Sequence, residues 1–328
     1  MMDIIAEKNE RTRLDWGQNI RKYGTIYAFL LLFFFNIVFT RNFASMGTLW
    51  NLTIQVLPTM LTALGMVLVI SSGGIDISVG SVMAISAVTS GLVLTGKIPF
   101  LGTSTGMAVL AALVVALALG LFNGVLVACF RIQSIIVTLI LYIAGRGIAQ
   151  LMNNGGTIVF YGNTFTEIGL YRVGGLVPIQ LFVSALFAAM IAFLLKKTTF
   201  GYYVQAIGEN AKAARLSGIR TAQVMISVYV ICALLAGLAG LFECSRASCA
   251  DPNAIGQLAE MDAIAAVAIG GTSMNGGKAR VVGTIFGALI IQMISIMVNM
   301  NNIPFAYSRI FKAAIIILAV YLQREKRR

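Results

Sequence analysis

The 328-residue chain contains no histidine, and it carries only 12 acidic residues against 24 basic ones. The missing imidazole excludes a Ser–His–Asp relay, a histidine-bearing metal set and a histidine proton shuttle. Of the acids, only Asp76, Glu243, Glu260 and Asp262 lie in or beside apolar runs. Proton-coupled carriers run on intramembrane Asp, Glu or His, so proton coupling is disfavoured. The glycine-rich stretch 270–277 lacks the GxxxxGK[ST] pattern of a phosphate loop, so no nucleotide site is expected on it. Cysteine is scarce too, at four residues. Cys129 and Cys232 sit in or beside apolar runs, as small packing residues do. Cys244 and Cys249 share one connector, where a bridge is open to them. Their spacing matches no metal signature, and free thiols are the safer expectation. The chain therefore lacks an energy source of its own, and no catalytic or metal constellation accompanies Glu260 and Asp262.

What is present is apolar length. The chain is 59% hydrophobic, with a mean hydropathy of +0.89. Soluble domains lie near 45–50% apolar. Runs of about 20 apolar residues recur along the whole chain, each long enough for about 30 Å of hydrocarbon. A β-barrel would instead alternate apolar and polar residues over short segments. The expected fold is all-α, a polytopic membrane protein of about ten transmembrane helices. The apolar segments fall near 24–40, 48–70, 78–95, 105–128, 134–152, 177–195, 222–243, 259–272, 281–299 and 307–322. The eighth is short and carries two acids, so an eight-span version with a re-entrant segment is the alternative. Residues 1–23 are polar and no cleavage site follows them, so they read as a retained cytoplasmic segment. Residues 24–322 form the transmembrane domain, and 323–328 a basic cytoplasmic tail.

The net charge of +12 sits in connectors. With the N-terminus inside, the inner connectors collect most of the Lys and Arg, from Lys8 and Arg11 through Lys196, Lys197, Lys212, Arg215 and Arg220 to Lys278, Arg280 and the tail. That asymmetry predicts both termini on the cytoplasmic side. It also argues against nucleic acid as a partner, because the charge does not form one basic face.

Five features carry the functional reading. Residues 71–81 (SSGGIDISVGS) hold a glycine pair, Gly73 and Gly74, followed by Asp76 and Ser78. They form either a capped interhelical turn or a broken helix that lines a pathway or gate. Residues 260–278 hold Glu260, Asp262, Gly271 and Thr272; the acids suit a capping or solvated role better than acid–base work. Gly120/Gly124 and Gly283/Gly287 have the four-residue spacing of close helix packing. Asn123, Arg146 and Gln150 are polar groups in apolar runs. Arg146 and Gln150 share a helical face. They either meet a polyhydroxylated solute in a wet cavity or tie helices together, with equal weight. The fifth feature is the inner connector, about 196–221, whose Ala-rich stretch 199–219 is bounded by glycines. Such an organised connector is not needed merely to join two spans; docking to another protein is its expected use. The outer connector 153–176, with two Gly-Gly pairs, is equally a small cap or a plain loop.

Three stretches together carry a family resemblance: 73–80 (GGIDISVG), 206–219 (AIGENAKAARLSGI) and 261–277 (MDAIAAVAIGGTSMNGG). In that order and spacing, the chain from about residue 45 to its end resembles the permease subunits of bacterial ABC sugar importers. These are the ribose/xylose/arabinose type of the branched-chain amino acid and sugar permease superfamily. Residues 144–150 (AGRGIAQ) also look like the furanose permeases. The family usually has a small residue where Glu209 stands, and many relatives have Ser-Leu at Ser273-Met274.

The resemblance implies a multi-pass protein of the cytoplasmic (inner) membrane and a transport subunit rather than an enzyme. It implies an ATPase on a separate chain that holds ATP and Mg, and an extracytoplasmic sugar-binding protein. A second permease copy or a homologous permease completes the channel, within membrane lipid. It assigns ATPase coupling to Gly208, Glu209, Asn210, Ala213, Ala214, Arg215, Gly218 and Ile219. Gly73, Gly74, Asp76, Ser78, Asn123, Arg146, Gln150, Gly271 and Thr272 are the candidate pathway or gate residues. The sugar stays undetermined: ribose, xylose, arabinose, galactose, a furanose or a sugar-like signal. The competing reading is a secondary carrier of a small polar solute, driven by an ion gradient.

Overall fold

The computed structural model describes residues 24–162 and 164–323; the expected N-terminal segment 1–23 and tail residues 324–328 lie outside them. The described chain is a helical bundle. Its helices are α1 (Gly24–Phe39), α2 (Met46–Ser71), α3 (Val79–Leu94), α4 (Thr105–Ala128), α5 (Ser134–Leu151), α6 (Thr164–Leu170), α7 (Ile179–Lys197), α8 (Thr199–Leu216), α9 (Thr221–Ala247), α10 (Ala259–Ile269), α11 (Val281–Met300) and α12 (Phe305–Gln323). Each of the ten apolar segments falls on a helix. The two additional helices, α6 and α8, lie in connectors. Six helices, α2, α4, α5, α7, α9 and α11, are long and apolar enough to cross a membrane.

Side-chain pattern decides which helices are central. From Leu57 to Ser71, most of α2 is buried on every side, and so is nearly all of α3. A helix apolar all round can only be stable inside a bundle or a bilayer. In α4 the buried residues form a stripe of small ones, Ala108, Ala112, Ala116, Gly120 and Gly124, with Asn123 beside it. The large residues Leu110, Val114, Leu121 and Phe122 point outward. This is the inverse of a soluble protein: small residues let backbones approach inside, and bulky apolar ones face outward, as they do toward lipid. Gly120 and Gly124 pack on the α9 backbone at Val230 and Ile226, while Gly283 and Gly287 pack on α10 at Gly270 and Ala266. The spacing of these glycines is thus a helix-packing signal.

Four two-residue strands lie toward the bundle end opposite α8. β1 (Ile158–Val159) pairs antiparallel with β4 (Cys249–Ala250). β2 (Arg172–Val173) pairs with β3 (Val177–Pro178) around the Gly174-Gly175 turn. With α6 they make the 153–178 connector a cap, not a plain loop. Ser245 donates to Phe165 O, and Gln180 Nε2 donates to Gly169 O at 2.6 Å, so α6 is tied to α9 and α7. All four cysteines are free thiols. The Cys244 sulfur lies 3.9 Å from Ser90 Oγ and from Ala87 O. Burial, then the nearby Asp251, pushes the Cys249 thiol up, away from the reactive thiolate.

Two chain breaks define the interior. After α2, residues 72–78 leave the helix and α3 begins only at Val79. After β4, residues 251–258 form turns that run inward along α3: Gly91 packs on Ala250, whereas Gly80 packs on Gly256. Those contacts are separated by about 16 Å along α3, at 1.5 Å per residue. α10 then starts deep in the bundle. Its 11 residues span only about 16 Å, roughly half of a bilayer core. Two helix starts, those of α3 and α10, therefore meet inside the bundle.

Candidate functional site

The three stretches that carry the resemblance converge on one glycine. A side chain at Gly208 would collide with Ser71 O at the end of α2 and lie 2.5 Å from Gly277 N. Gly277 N in turn donates to Ser71 O at 3.0 Å. Gly73, with φ +86°, faces Gly208 Cα, and Gly276, with φ +91°, faces Gly208 O. Three backbones approach without side chains between them, which only glycine permits. α8 is thereby docked against both the 72–78 break and the 270–277 turn. Within that turn, Gly271 has φ +81° and lies against the Arg280 side chain, and buried Thr272 Oγ1 accepts from Arg280 N at 3.0 Å.

Beyond Gly208 the element turns outward. Asn210 has φ −159° and ψ 97°, so α8 is two short helices joined at a kink. Its Oδ1 accepts from Lys212 N at 3.1 Å and Ala213 N at 3.0 Å, the geometry of an N-cap. The second piece ends at Gly218, φ +83°, as helix C-termini commonly do. Ala214 is buried against the bundle and Ile219 packs on the same core. Glu209, Asn210, Ala213, Arg215 and Gly218 are exposed, and Leu216 is 89% exposed. A capped segment thus presents an apolar residue ringed by charge.

The break at 72–78 is built around buried Asp76. Ser78 donates to its Oδ1 from both N at 2.8 Å and Oγ at 2.6 Å, and Asn123 Nδ2 donates to Ser78 Oγ at 2.8 Å. Ile75 N donates to Ser134 Oγ at 3.2 Å, and Thr138 Oγ1 to Ile75 O at 3.4 Å. The Tyr229 hydroxyl fills the place a Gly74 side chain would take. Backbone that leaves a helix inside a membrane needs such partners. Gly74, Asp76, Ser78 and Asn123 are therefore brought together. Ser134, Thr138 and Tyr229 complete the set and escaped the sequence reading, because two lie at a helix start and the third among apolar residues.

Arg146 and Gln150 lie elsewhere, on the second break. Arg146 Nη1 donates to Pro252 O at 2.8 Å and Ile255 O at 2.7 Å, and Nη2 to Gly256 O at 3.2 Å and Gly80 O at 3.3 Å. Gln150 Nε2 donates to Asn253 Oδ1 at 2.7 Å. Their contacts tie helices and loop together. Glu243 Oε2 accepts from Gly256 N at 3.3 Å, and buried Glu260 lies against Gly80 with neither oxygen hydrogen-bonded.

Six helices able to span a membrane, an exposed capped connector and two interior breaks make up the framework of the chain. The chain matches the family described as the permease component of the branched-chain amino acid transport system over residues 48–320, and it belongs to that family. It is a multi-pass inner-membrane permease component, not an enzyme. It is 37% identical over 310 residues to the ribose import permease protein RbsC of Escherichia coli K12, covering 92% of this chain and 93% of that one. It is 35% identical over 286 residues to the galactofuranose transporter permease protein YtfT of the same organism, covering 85% and 82%. It is 31% identical over 317 residues to the L-arabinose ABC transporter permease protein AraH of Azospirillum brasilense, covering 97% and 91%. No solved structure matches the chain.

Proposed function

We propose that this chain is the permease subunit of an ATP-binding cassette importer that moves a monosaccharide across the inner membrane. ATP and Mg belong to a partner ATPase. A binding protein delivers the sugar from outside, and a second permease copy or a homologue completes the channel. In this reading the ten apolar helices make ten crossings with both termini cytoplasmic, α3 and α10 each crossing with the extended break that precedes it. Sugar as the cargo is supported by the relatives, which are named for ribose, galactofuranose and arabinose.

The observation that carries the mechanism is the seat of α8. Its exposed end, Asn210 to Gly218, is where the ATPase docks. Its inward end is Gly208, in backbone contact with the 72–78 break and the 270–277 turn. Closure of the ATPase pair on ATP moves the exposed end. The contact at Gly208 is too close to absorb that motion, so it passes to α2, α3, α10 and α11. Transport then alternates between two arrangements, of which ATP binding favours one through different contacts in each. The pathway residues proposed from sequence divide accordingly: Gly73, Gly271 and Thr272 belong to the lever, and Gly74, Asp76, Ser78 and Asn123 to the hinge it moves. Arg146 and Gln150 hold the far side.

Purification in mild detergent tests the reading. The native chain is expected to retain a stoichiometric ATPase with a Walker motif. Arg215→Glu reverses a charge on the exposed face and touches nothing in the core. It is expected to weaken ATPase retention at least about tenfold, since like-charge placement in an interface costs over a kcal/mol, while membrane insertion is unchanged. Normal retention and transport by Arg215→Glu would remove α8 from the interface. Solute uptake by the isolated chain would favour the secondary carrier instead.

A further inference from the structure

Arg146 holds the second break by four carbonyls, but its two terminal nitrogens do so unequally. Nη1 donates to Pro252 O at 2.8 Å and Ile255 O at 2.7 Å, whereas Nη2 donates to Gly256 O at 3.2 Å and Gly80 O at 3.3 Å. The first two distances are short for an N–H···O bond, and the last two lie at or past its long end. Nη1 therefore secures the 251–258 loop. Nη2 is the weaker tie, and it is the one that joins the loop to the start of α3 at Gly80.

Beside that tie stands an acid with no donor. Glu260 is 1% exposed, and neither of its oxygens has a hydrogen-bond partner. A methyl built on Gly80 would collide with Gly256 O and with Glu260 Oε2 alike. Carboxylate, loop carbonyl and guanidinium thus meet at one glycine. Of the carboxylates acting on the Arg146 charge, Glu260 acts most strongly, ahead of Glu243 and Asp251. Those two are engaged: Glu243 Oε2 accepts from Gly256 N at 3.3 Å, and Asp251 Oδ1 accepts from Asn253 N at 2.8 Å and Ala254 N at 3.3 Å. Glu260 stands in the first turn of α10, and the helix start offsets part of its charge. A buried carboxylate without a donor is nevertheless costly. Carbonyl bonds hold this arrangement and an unpaired charge opposes it, so a second arrangement that pairs the charge competes with it.

We propose that Glu260 is the second partner of Arg146. In the alternate transport state Nη2 leaves Gly80 O and Gly256 O and forms an ion pair with the Glu260 carboxylate, while Nη1 keeps the loop. The exchange gives up two long bonds to carbonyls for charge-assisted ones, which are shorter and roughly twice as strong. It also removes the tie between Gly80 and Gly256, whose backbones face each other with no side chain between them. α3 follows directly on the 72–78 break, so a push delivered there by α8 draws Gly80 away from Nη2 and starts the exchange. The inference rests on the importer reading and adds to it the pair that answers the motion on the far side of the bundle.

The test uses the whole importer in lipid nanodiscs: this chain with its ATPase and binding protein. Unfolding midpoints are read for wild type, Glu260→Gln, Arg146→Gln and the double variant, once without nucleotide and once with ADP–vanadate trapped on the ATPase. Glutamine at 260 keeps the shape and removes the charge, and glutamine at 146 keeps a donor for the loop. In one of the two states the effects are expected to add, and Glu260→Gln to unfold no earlier than wild type, since the lost carboxylate had no partner there. In the other state Glu260→Gln is expected to lower the midpoint, and the double variant to lose no more than the worse single one, as partners of one pair do. Additive effects in both states would mean that the two residues never pair, and equal non-additivity in both would make the pair static; either overturns the exchange. So does a Glu260→Gln chain that unfolds early in both states, the signature of a carboxylate that only caps α10. Where the Arg146 variant does not fold, Glu260→Gln alone decides: its loss has to appear in one state and not in the other. Failure of the importer reading has a different signature, a native chain that retains no ATPase and traps no vanadate.

Discussion

The two breaks in the bundle are built by opposite means. Residues 72–78 are held by backbone proximity: Gly73, Gly208, Gly276 and Gly277 bring three segments into contact with no side chain between them. Residues 251–258 are held by reach: one long side chain, Arg146, gathers four carbonyls from two segments. A glycine contact has no slack, because nothing in it can rotate. A guanidinium on a flexible stem can follow its carbonyls or release them one at a time. The first suits the transmission of a push from α8. The second suits a joint that loosens stepwise. The same protein thus carries a rigid joint at one end and a releasable clasp at the other.

The rigid joint should fail most sharply. In Gly208→Ala the new methyl overlaps Ser71 O and crowds Gly277 N, both of them backbone atoms that cannot step aside. The expected cost is about 3 kcal/mol, the upper part of the overpacking range. Thermal unfolding of the detergent-purified chain reads it as a large drop in midpoint, together with loss of coupled ATP hydrolysis in the assembled importer. A variant that unfolds at the wild-type temperature and still couples would mean that the joint has room, and the contrast between the two breaks would lose its first half.

Arg146→Leu addresses the clasp. It keeps the apolar stem and removes the donors, so Pro252, Ile255, Gly256 and Gly80 each lose a partner. Carbonyls have two lone pairs and water reaches the partly exposed loop, so the expected cost is smaller, about 2 kcal/mol. Hydrogen exchange localises it: amides of 251–258 should exchange faster, while Ile75 and Ser78, bonded to Ser134 and Asp76, should keep their protection. Equal loosening of both regions would show one cooperative unit in place of two devices.

The sequence made the helices legible, since each apolar segment became one, and it marked the α8 segment by polarity and glycine boundaries. It offered Asp76 and Ser78 as caps of the next helix, but Ser78 makes no side-chain cap bond at the start of α3, and Asp76 instead accepts from Ser78 N and Oγ. It could not show that Gly73, Gly208 and Gly277 touch. Contacts between glycines leave no periodicity and depend on where distant backbones cross. Arg146 and Gln150 were visible as polar residues on one helical face, but whether they meet a solute or a loop depended on the fold of 251–258, which no pattern encodes. The bond from Gln292 Nε2 to Gln55 Oε1, at 2.9 Å, was missed for a related reason. Gln55 and Gln292 are amides in apolar runs just as Asn123 is, and the same signal would have found them. Their pairing across α2 and α11 is a tertiary fact.

Gly147 offers the mildest probe and a change of sign. It is the neighbour of Arg146 on α5, yet a methyl built on it would meet nothing within 4 Å, and its φ is not positive. It lies in the helix interior, so alanine there gains propensity and removes freedom only from the unfolded chain. Gly147→Ala is therefore expected to stabilise by about 0.5 kcal/mol, a slight rise in unfolding midpoint, and to leave exchange at 251–258 as it was. The comparison with Arg146→Leu separates two accounts of the clasp. If Arg146 acts through its four hydrogen bonds, stiffening the helix one residue away changes nothing at the loop. If the loop instead follows the stiffness of α5, Gly147→Ala protects 251–258 and the guanidinium is only a passenger. The geometry of four bonds from one side chain predicts the first result.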